Sequence, residues 1–97
     1  MARYIVLMNW TDQGIRNAKD TVKRAKAARQ AFEAMGANMR DVYWTVGPYD
    51  VVATVDAPDD ETATKAGLAI GIQGNVRTTT LRAFGEQEME EIIKSIP

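Results

Sequence analysis

The chain has no cysteine and no histidine among its 97 residues. Without cysteine there is no disulfide, no thiolate nucleophile and no Cys-based zinc site. Without histidine it lacks the commonest metal and haem ligand, and the side chain that titrates near neutrality unaided. Any chemistry falls to Asp, Glu, Lys, Arg, Tyr or Thr or to a bound cofactor, and no motif in the chain calls for a cofactor or a metal, so none is expected. A charge excess of either sign is also missing, since 12 basic against 13 acidic residues leave a net charge of −1. A surface that tracks phosphates needs a positive excess, so no nucleic-acid partner is expected. The densest basic stretch, Lys19 to Arg29, also holds Asp20 and reads as a solvated helix face. No apolar run is long enough to span a bilayer, and the one at Met1–Asn9 is too short for a signal peptide. The expected location is therefore cytoplasmic, with no membrane partner.

What is present is an ordinary globular composition, 45% hydrophobic and 26% charged, over a length that makes residues 1–97 a single domain. A chain of this size buries only roughly 60–70% of the surface its unfolded form exposes. Its core is modest, and self-association is a natural route to further burial.

Arg3 to Trp10 reads as a buried strand. Thr11-Asp12-Gln13-Gly14 interrupts it, with Thr11 or Asp12 capping a short helical turn through Lys19. From Asp20 to Met35, apolar residues at Val22, Ala25, Ala28, Phe32 and Met35 recur at three- and four-residue steps, the spacing of an amphipathic helix. Asn38 to Val46 and Tyr49 to Asp56 are strands joined by Gly47-Pro48. Pro58, followed by Asp59, Asp60 and Glu61, opens a second helix towards Gln73. Asn75 to Phe84 is a fourth strand, and Glu86 to Ser95 a terminal helix. The order is βαββαβ plus a helix, the ferredoxin-like α+β arrangement. Right-handed crossovers give the strand order 4-1-3-2, with the helices on one face.

That order brings polar and aromatic residues to one sheet end from four separate stretches. Asn9 and Trp10 end the first strand, Asp12 follows it, Trp44 lies near the end of the second, and Tyr49, Asp50, Asn75 and Arg77 begin the other two. Alternation with Ile5, Leu7, Val51, Ala53, Val55, Leu81 and Ala83 facing the helices puts the rest on the open face. Those others are Tyr4, Val6, Met8, Trp10, Val42, Trp44, Asp50, Val52, Thr54, Thr78, Thr80 and Arg82. An open face with two tryptophans and several aliphatics exceeds what a monomer exposes. It predicts a homo-oligomer joined through that face. Asp50 reads either as a carboxylate in a pocket or as the ion-pair partner of Arg77 or Arg82. Trp10 and Trp44 suit stacking on a flat ligand or packing at an interface, and Tyr49 a ligand contact or a packing role.

The segments Asn9-Trp10-Thr11-Asp12-Gln13-Gly14-Ile15-Arg16, Gly47-Pro48-Tyr49-Asp50, Ala57-Pro58-Asp59-Asp60-Glu61 and Gly74 to Phe84 together resemble the GYD domain family of prokaryotes. The resemblance covers nearly the whole chain and implies a fold similar to the dimeric α+β barrels. It implies no assigned activity.

The leading expectation is a small-molecule-binding or regulatory domain in a homo-oligomeric α+β barrel. Trp10, Trp44 and Tyr49 would form the pocket walls, and Asp50, Asn75 and Arg77 the polar anchors. Asn9 and Asp12 complete the candidate set, and Arg77 favours an anionic or carbonyl-bearing ligand. One alternative, by fold analogy with related barrels, is a metal-free isomerase or cofactor-independent oxygenase. Asp50 would be its base and Arg77 or Tyr49 the stabiliser of negative charge. Against it, a neighbouring arginine holds a carboxyl acidic, where a base near neutrality needs the opposite. The other alternative is a structural assembly module whose polar cluster locks subunits together.

Overall fold

The computed structural model describes residues 1–97, starting with the strand β1 (Ala2–Trp10). Thr11 ends it. Its hydroxyl accepts the Gly14 N–H at 3.1 Å and donates to the Gly74 carbonyl at 2.5 Å, capping a short helix, α1 (Asp12–Arg16). The expected single turn through Lys19 is broken after Arg16 into α1 and a 3₁₀ turn at Ala18–Asp20. The main helix, α2 (Thr21–Ala34), follows without a side-chain cap from Asp20. Gly36 reverses the chain at φ +89°, in the left-handed region that a residue without Cβ adopts freely.

The strands β2 (Asn38–Trp44) and β3 (Val51–Ala57) form the hairpin. β2 stops at Trp44, short of the expected Val46, because Thr45 N–H donates to Asp50 O at 2.9 Å and closes the loop there. The next helix, α3 (Asp60–Ile72), is capped by Asp59, whose carboxylate accepts the Thr62 N–H at 2.8 Å. Pro58 precedes that cap and does not occupy the first turn. The last strand and helix are β4 (Val76–Ala83) and α4 (Glu86–Lys94). The sheet is antiparallel in the order β2-β3-β1-β4, the expected order read from the other edge. No helix is long and apolar enough to cross a membrane.

The facing of three strands differs from the expectation. In β1, Tyr4, Val6 and Met8 are buried beneath the helices, directly opposite Val55, Ala53 and Val51. Residues opposite one another in an antiparallel pair share a face. Val42 and Trp44 therefore join Ala53 and Val51 on the helix side, and Thr78, Thr80 and Arg82 join Met8, Val6 and Tyr4. The open face holds Ile5, Leu7, Leu81 and Ala83 instead, with Val52, Thr54, Asp41 and Tyr43 as expected or adjacent. Neither tryptophan lies on it. It remains apolar at its centre, with Tyr43 61% and Leu81 45% exposed.

Phe32 of α2 and Ala63, Ala66 and Ile70 of α3 close the core over Val51, Ala53 and Val55. The alanines let α3 approach the sheet closely. α4 is different. Glu88 reaches back to the Gly85 N–H at 3.2 Å and pairs with Arg82 at 3.6 Å, but no residue of the helix is buried.

Candidate functional site

The sheet end at which β1 finishes is tied together by backbone contacts. Asp50 N–H donates to Met8 O, and the Asp50 carboxylate accepts the Trp10 N–H, both at 2.9 Å. Asp50 is thus the clasp between β1 and the start of β3, and it pairs with neither Arg77 nor Arg82. Across the same end, Thr11 N–H donates to Asn75 O at 3.1 Å, and Gln13 Nε2 donates to Asn75 Oδ1 at 3.0 Å. Gly14 packs so tightly on this crossing that a Cβ there would lie 2.0 Å from Asn75 O.

Beneath the helices at this end is a solvent-connected cavity of about 60 Å³, walled chiefly by Met8, Trp10, Met39, Val42, Trp44 and Val76. Thr21, Arg24, Gln73 and Asn75 supply its polar rim. Most of that rim is already engaged. Trp44 Nε1 donates to Thr21 Oγ1 at 2.9 Å, and the Arg24 guanidinium donates to Asn17 O at 2.5 Å and Gly14 O at 3.3 Å. A water occupies about 10–15 Å³ on this measure, and pockets for drug-sized molecules run to roughly 300–1,000 Å³. The slot therefore admits a few waters or one apolar side chain, with little free polarity to orient a metabolite.

Of the candidate residues, Trp10, Trp44 and Asn75 line this cavity together. Asn9, Tyr49 and Asp50 sit at the same sheet end outside it. The Asn9 amide, oriented to donate, reaches Pro48 O at 2.9 Å, and Tyr49 O accepts from Thr45 Oγ1 at 2.6 Å. Asp12 lies exposed in the first turn of α1. Arg77 is exposed on the opposite face, beside Asn9 in the β1–β4 register, with no ion pair in the chain. Thr21, Arg24 and Met39 were not expected at the cavity. Arg24 belongs to the basic stretch read as solvated, but its position three residues into α2 turns it inward, and its donors reach carbonyls of the preceding segment.

The perturbed ionisable groups lie towards the other sheet end. Arg3 Nε donates to Asp56 Oδ1 at 2.7 Å, and Arg40 reaches Asp56 Oδ2 at 3.2 Å. Hydrogen bonding from Arg3, aided by Arg40, holds the Asp56 carboxyl below the usual carboxylate range despite some desolvation. On the helix face, the Tyr4 hydroxyl donates to Asp60 at 2.5 Å, and that bond pushes the phenol pKa upward. Both are pairings that fix strand ends, and neither faces the cavity.

A family model described as GYD domain matches residues 4–93. A Thermus thermophilus protein, named as a glutamine synthetase and cystathionine beta-lyase binding protein, is 36% identical over 85 residues, or 87% of this chain and 90% of its own. A crystal structure from Thermus thermophilus superposes with a TM-score of 0.56 at 28% identity, covering 88% of this chain and 95% of the other. A hypothetical protein from Pyrococcus horikoshii superposes at 0.57 with 18% identity, covering 89% and 93%, a likeness of fold alone.

Proposed function

We propose, for a chain that belongs to the GYD domain family, a binding and regulatory role: it docks as a homo-oligomer on a metabolic enzyme. The observation that carries this reading is the slot beside Trp10 and Trp44, sized for one inserted side chain and bordered by exposed apolar residues. Trp44 is 42%, Val22 51% and Val46 fully exposed, next to or within the segments that wall the slot. Anchoring an aromatic or aliphatic side chain in such a depression, inside a ring of weaker contacts, is how protein interfaces concentrate their affinity. Most of the polar groups of the rim are bonded internally, which suits a surface that recognises shape more than a charged metabolite.

The relative's name points to the enzyme class to test. Glutamine synthetase from the chain's own source is the first choice of partner, and cystathionine beta-lyase the second. A second copy of the chain covers the open sheet face, leaving the slot and the helix layer outward for the enzyme. Titration calorimetry of the purified chain against each purified enzyme tests the reading. Saturable binding that Val46→Asp or Trp44→Ala abolishes, with the fold retained by circular dichroism, is the expected result. Binding that survives both changes, or no binding to either enzyme, overturns it.

A further inference from the structure

The terminal helix α4 presents a stripe of Met89, Ile92 and Ile93, extended by Ile96, that is 39–62% exposed, and no residue of the helix is buried. The helix carries Glu86, Glu88, Glu90 and Glu91 against the single cation Lys94, and with Glu88 paired to Arg82 and Glu91 to Lys94, Glu86 and Glu90 flank the stripe without an ion pair in the chain. The molecule measures 52 × 31 × 17 Å. Nine strand residues span only roughly 30 Å, so an element must run past the sheet end to make that long axis. α4 starts where β4 leaves the sheet and has no buried residue, as an element that runs past the sheet would.

We propose that α4 is an exchanged arm that packs on a second copy of this chain, at the far end of the partner's open sheet face beside Arg77. This rests on the reading that a second copy covers that face. Two observations select the occupant and the place. The first is area. From strand spacing and rise, the open face has a footprint on the order of 500 Å². Stable interfaces bury about 800 Å² per partner. The open face is small for a stable interface, and an apolar helix contributed by each copy enlarges the area buried.

The second observation is charge. Stacking two sheets about a two-fold axis brings the arms either to the same end or to opposite ends. At the same end, two helices that each carry four carboxylates and one lysine repel one another. At opposite ends, each arm meets the end of the partner where Arg77 and Arg16 have no ion-pair partner within the chain and Ile15 is 53% exposed. The opposite-end arrangement satisfies both the stripe and its rim. Arg82, pinned between the Tyr4 and Phe84 rings and Glu88, fixes the angle at which the arm leaves its own subunit.

The absence of native cysteine gives a clean test. Ile93→Cys and Asn9→Cys are made separately, mixed, and treated with a short bis-maleimide. The expected product is a covalent 93-to-9 dimer, formed only when both variants are present. In parallel, Arg77→Glu weakens the dimer by about five-fold or more in analytical ultracentrifugation, the size of one good ion pair. Adding Glu90→Lys to Arg77→Glu restores it. A dimeric protein that gives no mixed cross-link and shows no rescue overturns the arm and leaves the face-to-face dimer standing. A monomer at every concentration overturns both. Enzyme binding, measured separately at the tryptophan slot, does not enter either outcome.

Discussion

Two glycines in this chain face opposite constraints. Gly14 sits where α1 crosses the α3–β4 connection, and a Cβ would overlap a backbone carbonyl at 2.0 Å. Neither partner is a flexible side chain, so the crossing must open. Gly14→Ala is expected to cost about 3 kcal/mol in chemical denaturation, at the upper end for overpacking. Gly67 lies inside α3, and its Cβ would meet Thr78 and Thr80 hydroxyls at ordinary distances of 3.7 and 3.9 Å. Gly67→Ala should stabilise by about 0.5–1 kcal/mol, because the unfolded chain loses freedom and no contact is strained. Asp50 calls for a pair of changes. Asp50→Asn keeps an oxygen for the Trp10 N–H and should cost little. Asp50→Ala leaves that N–H without its acceptor and should cost about 1–3 kcal/mol. Equal losses in the two variants would show that the clasp is not what holds this carboxylate in place.

Among the elements, α3 shows how a local bond becomes a pH dependence. The Asp59 carboxylate caps the helix by accepting from Thr62, and the side-chain and backbone bonds of that residue hold its pKa below the usual 3.8. A depressed carboxyl pKa stabilises the fold above the unfolded value and loses that contribution as pH falls through the folded one. Asp56 has the same sign, through Arg3 and Arg40. Thermal melts should therefore fall from about pH 4 downward, and Asp59→Ala should lower Tm by a few degrees near neutrality but by much less at the acid end. A constant difference across that range would remove the cap as its origin. The elements themselves were legible in the sequence, down to the strand order, because the 3.6-residue spacing of α2 and the turn residues at Thr11–Gly14 and Gly47–Pro48 are strong local signals. The faces were not. β1 is apolar on both sides, Tyr4, Val6 and Met8 on one and Ile5 and Leu7 on the other, so alternation cannot choose between them. The choice is made by register, in which Met8 meets Val51, and a one-residue slip reverses every side chain. The same ambiguity hid the cavity. Trp10 and Trp44 were recognisable as a pair at one sheet end, but their place under the helices depends on that register, and the inward turn of Arg24 depends on how α1 packs.

At the scale of the whole molecule, 14 of 97 residues are buried, and the chain is a slab 17 Å thick. So little burial leaves an isolated copy marginal, since net stability is a small difference between large terms. If a second copy covers the open face and receives α4, folding and association are one equilibrium, and the melting temperature depends on concentration. Raising the chain a hundred-fold then contributes about 2.7 kcal/mol per dimer, which for two chains of this length shifts Tm by roughly 6 °C. Differential scanning calorimetry at two concentrations reads this directly. Removing residues 85–97 should lower both melts and flatten their dependence on concentration, because the arm is lost while the sheet faces remain. A melt independent of concentration in the intact chain would mean that the sheet, thin as it is, is stable alone, and that the exposed stripe on α4 serves something other than a second copy.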